Sequence, residues 1–143
     1  MTRIDFYVLE SNDAQAQARL TCRLADKAWS LQHQIYIHTN TRQDSEQLDQ
    51  LMWVYPDGSF LPHGVYGAED SALAPVLIGH DHEPEHMSDV LINLADNVPP
   101  FYSRFERIVE LVTGDESLRQ KARERYKYYR DRGYAIETHK LAD

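Results

Sequence analysis

Two apolar runs with a helical stripe between them restrict this chain's fold more than any other feature. Ile4 to Leu9, IDFYVL, is almost continuously apolar and rich in β-branched and aromatic residues, as a strand buried on both faces should be. Gln34 to Thr39, QIYIHT, is a second such strand. Between them a helix opens at Asn12 to Gln15, with Asn12 or Asp13 suited to the N-cap. Its apolar stripe is Ala18, Cys22, Ala25 and Trp29, widened by Leu20, Leu24 and Ala28. Thr41 to Trp53 is a second helix with Leu48, Leu51 and Met52 facing inward. Strand, helix, strand, helix predicts a parallel sheet with a right-handed crossover.

Further strands are expected at Pro75 to Gly79, Asp89 to Ala95 and Glu106 to Val112, with a short helix at Phe101 to Phe105 after the Pro99-Pro100 break. Tyr55 to Gly67 reads as a loop from its proline and glycine content, and His80 to Ser88 as a polar loop. The last long helix spans Asp115 to Gly133, with Thr113 and Glu116 as a capping box and Gly133 as the stop. Leu118, Ala122 and Tyr129 are placed to dock it on the core, and the tail from Tyr134 adds a little extended structure. The fold expected is α/β: one domain over residues 1–143, a three-layer sandwich with a mostly parallel twisted sheet and helices on both faces. It is Rossmann-like without the dinucleotide fingerprint. The first strand-to-helix turn, Glu10-Ser11-Asn12-Asp13-Ala14, has no glycine, and its two carboxylates oppose phosphate. No cofactor is expected.

Charge divides the chain. The net charge is −8, yet residues 1–114 hold 7 Lys/Arg against 17 Asp/Glu, and residues 115–143 hold 8 against 6. So acidic a surface repels duplex DNA over most of its area. On the last helix, Arg119, Arg123, Lys127 and Arg130 recur along one face with Tyr126 beside them. Such a row suits an acidic peptide, a phosphate backbone or a carboxylate; a solvated helix face is the plain alternative. No apolar run nears the roughly 18 residues of a membrane span, the N-terminus lacks a signal-peptide layout, and the single Cys22 lies on an apolar stripe. These features predict a soluble protein of the reducing cytoplasm.

Three other places carry candidate chemistry. His80, His82 and His86 stand among Asp81, Glu83, Glu85 and Asp89, side chains able to bind Zn²⁺ or Ni²⁺. Polar loops often carry such residues without a metal, so none is expected. No serine sits in a G-x-S-x-G elbow, and no histidine has a triad partner nearby in sequence. The stretch with Trp53, Pro56, Phe60 and Pro62 suits a partner interface, with Trp53 favouring the core and Phe60 the surface.

ARERYKYYRDRGY, Ala122 to Tyr134, preceded by Asp115-Glu116-Ser117-Leu118, resembles the C-terminal helix of the chi subunit family of bacterial DNA polymerase III holoenzyme. Trp53-x-x-Pro56-x-x-Ser59-Phe60-x-Pro62-His63 is similar to that family's central segment, and the likeness covers nearly the whole chain. The resemblance implies a non-catalytic replication subunit, any polymerase activity belonging to the holoenzyme. It implies two partners. The acidic C-terminal tail of single-stranded DNA-binding protein, which ends in proline, phenylalanine and a free carboxylate, would meet Arg123, Tyr126 and Lys127. Arg119 and Arg130 would steer it. The psi subunit, which forms a heterodimer with chi and joins it to the clamp loader, would meet Trp53, Pro56 and Phe60. A helicase-like repair protein exchanges with psi at that surface in the family. No direct DNA or membrane binding is implied, and the location is the replisome at the bacterial nucleoid. Two readings compete: a nucleotide-binding or enzymatic α/β domain, and a direct single-stranded nucleic-acid binder through the basic helix.

Overall fold

A computed structural model describes residues 2–55, 61–68 and 74–141. Among these residues, seven strands form one sheet in the order β3-β4-β2-β5-β6-β1-β7, and every pairing between them is parallel. The strands are β1 (Arg3–Leu9), β2 (Ile35–His38), β3 (His63–Val65), β4 (Val76–Gly79), β5 (Val90–Asn93), β6 (Arg107–Val112) and β7 (Ile136–Leu141). Central strands β2, β4 and β5 are buried at every position, as helices on both faces require.

Helices α1 (Ala14–Ser30) and α2 (Arg42–Val54) cover one face, placing Ala18, Cys22, Ala25, Leu48 and Met52 against Leu9, Ile35, Ile37, Ile78 and Ile92. The other face carries α3 (Glu116–Asp131) and a 3-10 turn at Tyr102–Arg104, packing Tyr129, Ala122, Phe101 and Phe105 on Ile4, Phe6, Tyr36 and Ile108. Asp13 caps α1 by accepting the Gln15 N–H at 2.9 Å, and Thr41 caps α2 through the Asp44 N–H at 3.1 Å. No helix among the described residues is long and apolar enough to cross a membrane.

The three-layer arrangement and the long elements match the sequence reading; several local expectations do not. The segment read as a loop over Tyr55 to Gly67 contains β3, a three-residue edge strand paired with β4. The tail is a full edge strand, β7, in register with β1 over six pairs. Trp29, expected on the core stripe of α1, is partly exposed at the helix's end. The start of α3 also differs. Asp115, not Thr113, is its N-cap, accepting the Leu118 N–H at 3.1 Å. The chain turns first, because the Gly114 N–H is tied to the Ser11 carbonyl at 3.0 Å. A Cβ at Gly114 would collide with the Glu10 carbonyl and Asn12 Oδ1, so only glycine lets the β1–α1 and β6–α3 turns meet. Gly133, at φ +85, ends α3 as expected.

Candidate binding site on the last helix

The side chains that seat α3 are Ala122, Arg125 and Tyr129. Leu118 is not among them: one turn from the capped start it remains 42% exposed. Arg125 takes the docking role through Glu110, which β6 buries completely. Arg125 donates from Nε to Glu110 Oε1 at 2.8 Å, Tyr129 donates its hydroxyl to Oε2 at 2.7 Å, and Asn93 donates to Oε2 at 3.0 Å. Arg125 also donates from Nη1 to the Asp96 carbonyl at 2.9 Å. Burial pushes the Glu110 carboxyl above its ordinary range, while the Arg125 charge and the three donors pull the other way. The network bonds α3 to β6, β5 and the loop after β5.

With α3 held at that height, its next face leaves a shallow notch of about 160 Å³ against the sheet. The walls are Phe6 and Val8 of β1, Val112 of β6, Thr138 of β7, and Arg119, Ala122, Arg123 and Tyr126 of α3. The Phe6 and Tyr126 rings meet with centroids 5.4 Å apart, forming the apolar floor. Two guanidinium groups stand at the rim. Arg119 donates to the Leu9 carbonyl at 3.3 Å, which ties it toward the sheet. Arg123 donates from Nη2 to Glu116 Oε1 at 2.6 Å and to Gln120 Oε1 at 3.0 Å. The Arg123 and Glu116 side chains are 56% and 80% exposed, so water screens the pair and an incoming anion can replace the glutamate at little cost. Lys127 is exposed and has no ion pair among the described residues, and Arg130 makes a long contact of 3.4 Å with Asp131. An apolar floor under paired guanidinium groups can hold a large apolar side chain next to a carboxylate.

The whole-chain comparisons point to one family. The family model described as DNA polymerase III chi subunit, HolC, matches residues 1–137. This chain belongs to the DNA polymerase III chi subunit family. Its similarity to the DNA polymerase III subunit chi of Pseudomonas aeruginosa is 40% identity over 141 residues, covering 99% of this chain and 98% of that one. The subunit chi of Escherichia coli is 31% identical over 143 residues, covering 96% and 97%, and that of Haemophilus influenzae 28% over 134 residues, covering 93% of each. As a chi-family chain it is a replication accessory subunit that works within the polymerase III holoenzyme.

The structure brings Arg119, Arg123 and Tyr126 together at the notch and sets Lys127 and Arg130 further along the same helix. The sequence reading did not include Phe6, Val8, Val112 and Thr138, which supply the sheet side. The period of two along β1 held that signal, since Phe6 and Val8 share the face opposite Asp5 and Tyr7. On the opposite sheet face, Trp53 is 49% exposed rather than in the core. It ends α2, where its ring lies on the buried His63 imidazole at a centroid distance of 3.9 Å. His63 in turn faces the Leu61 carbonyl at 2.6 Å and the Asp49 carbonyl at 3.2 Å, so β3 and α2 position Trp53 together. Pro56 and Phe60 lie outside the described residues.

The histidines suggested for a metal do not gather. His80 and His82 stand edge to face at 5.3 Å, while His86 is exposed beside Glu85. Among the described residues, the potential ligands that do converge are Asp5, Glu137 and His139. Asp5 there already accepts from Arg107 at 2.8 Å and lies 3.3 Å from Arg3, charges that oppose a further cation. Burial alone would raise the Asp5 carboxyl; hydrogen bonds from Arg107 and His139, with the charges of Arg107 and Arg3, outweigh it and hold the group below its ordinary range.

Proposed function

We propose that this chi-family chain is a two-surface adaptor. The α3 notch takes the end of the acidic C-terminal tail of single-stranded DNA-binding protein, and Trp53, with Pro56 and Phe60 that follow it in sequence, takes psi and through it the clamp loader. The observation that carries the first half is an apolar floor, Phe6 with Tyr126, directly under Arg119 and Arg123. A terminal phenylalanine would lie on the floor and its carboxylate would meet Arg123 in place of Glu116. Lys127 and Arg130 add positive field for the tail's acidic residues, an effect that salt weakens. The half-exposed Trp53, fixed by His63, supports the second half, because a rigid aromatic at a surface is a common interface anchor. The same surface would serve the helicase-like repair partner, and the work would be done at the replisome in the cytoplasm.

Fluorescence anisotropy with a labelled tail peptide tests the reading. The free carboxylate should bind more tightly than the C-terminal amide by about 1–3 kcal/mol, typical of a lost charge-assisted hydrogen bond. Trp53→Ala should weaken psi capture and leave tail binding unchanged. Equal affinity for acid and amide peptides would refute the notch assignment; loss of both partners on Trp53→Ala, with the fold intact by circular dichroism, would refute the separation of surfaces.

A further inference from the structure

A second hollow, of about 320 Å³, flanks α3 on the side away from the notch, outside the carboxyl ends of β2, β5 and β6. Its apolar walls are Ala18, Leu48, Leu51, Leu94, Leu111 and Leu118. In open α/β sheets this crevice is the usual place for a ligand. Here the adjoining β1–α1 turn offers Glu10 and Asp13 where a nucleotide's phosphate would need donors, so a nucleotide does not suit it.

Several polar groups in the crevice have capacity left over. Thr113, a buried wall residue, has an Oγ1 with no hydrogen-bond partner among the described residues. A buried hydroxyl left this way calls for a partner. Asn40 accepts the Asp96 N–H at 2.8 Å, which leaves its own amide N–H groups to donate. Asp44 is exposed and has no ion pair among the described residues, Asp96 is held by Lys121 at 3.0 Å, and the one cation in the lining, Arg125, is already taken by Glu110 at 2.8 Å. Leu118 closes the rim as an exposed leucine without a role in docking α3. Apolar walls with spare amides and an acidic mouth, on a chain whose first 114 residues are strongly acidic, match a peptide segment that is aliphatic at one position and basic on either side.

We propose that this crevice is a second docking pocket, taking one aliphatic side chain from a partner protein segment that carries lysine or arginine on both flanks. It is separate from the notch and opposite to it in preferred charge. Placed on two sides of one helix, the two sites let α3 hold an acidic and a basic partner at once.

The test is a ¹⁵N-¹H NMR titration of the full chain with short synthetic peptides carrying a central leucine, flanked either by lysines or by glutamates. The lysine-flanked peptide should shift the amides of Asn40, Asp96, Thr113 and Leu118, with an affinity about tenfold or more above that of the glutamate-flanked one. Leu118→Arg, an exposed helix position where the fold should tolerate the change, should weaken it by a similar factor, and Asp44→Lys should do the same. Four results would each overturn the proposal: no shifts, shifts confined to the notch, equal response to both peptides, or the same amides shifting with the chain's own concentration before any peptide is added. The last result would mean that a second copy fills the crevice.

Discussion

Two arginines of helix α3 pair with glutamates in opposite ways, one across to β6 and one within the helix. Arg125 and Glu110 have side chains only 8% and 0% exposed, and two further donors complete the carboxylate. Arg123, two residues before Arg125, pairs with Glu116 of the first turn, and that pair lies in water with only Gln120 to help. The chemistry is the same and the consequences differ. A buried pair cannot lose one member without stranding the other, so it is committed to holding the fold. An exposed pair can exchange partners freely, so its arginine is available to a guest.

The largest effect expected from this contrast is on stability. Arg125→Met should cost about 3–5 kcal/mol in denaturant unfolding, because Glu110 is left buried and unpaired. Adding Glu110→Leu should restore much of that loss. If the single substitution costs less than about 1 kcal/mol, the buried pair does not seat the helix.

Arg123→Ala should show the reverse pattern. Its unfolding free energy should stay within about 0.5 kcal/mol of the parent, as for most surface changes. Its affinity for the tail peptide, by anisotropy, should fall by about 1–3 kcal/mol. A change in stability without a change in affinity would exchange the roles assigned to the two arginines.

His38 extends the contrast to a buried base that has no ion pair among the described residues. Its Nδ1 has no hydrogen-bond partner among the described residues, and it packs edge to face on Phe101. Burial, opposed by Asp81 and assisted by His80, pushes its pKa down to about 4. The unfolded chain takes up that proton near pH 6.5 and the folded chain does so only near the lowered value. Stability is therefore complete above about pH 6.5 and falls by about 1.4 kcal/mol per pH unit as the pH drops between the two. Thermal unfolding of His38→Leu across this range should show a flatter acid limb than the parent. An unchanged slope would mean that another group controls it.

The smallest effect belongs to Glu116. Glu116→Gln removes the anion that competes for Arg123 and should tighten tail binding by about 0.5 kcal/mol or less. Weaker binding would mean that Glu116 presents the arginine to the guest rather than competing for it.

The parts of this molecule legible in its sequence are those where one period runs long enough to stand out. IDFYVL, QIYIHT and the stripes of α1 and α2 fixed the layers because each repeats its signal several times. β3 has three residues, and β7 reads IETHKL with polar residues along most of its length, since an edge strand has less to bury. Neither offered a pattern. The cationic row on α3 is visible as charge at helical spacing, but the notch is not, because half of it comes from strands: Val112 and Thr138 on either side of the helix, and Phe6 and Val8 more than 100 residues before it. Arg125 carries no signal of its own, being one charge in a charged helix. The usable clue was its partner, Glu110, the one charge inside the apolar run IVELV.

The notch takes two walls from the first strand of the sheet and another, Thr138, from the last. During synthesis, residues 136–141 leave the ribosome after every other element described here. Until they lie down beside β1, a nascent chain has the helix and its cations but no closed cup for a guest. A chain broken off before Ile136 would keep most of its core and still lack that side of the cup. On the proposed reading, a chain ending before Ile136 should therefore bind the tail more weakly, because Thr138 would be missing from the notch.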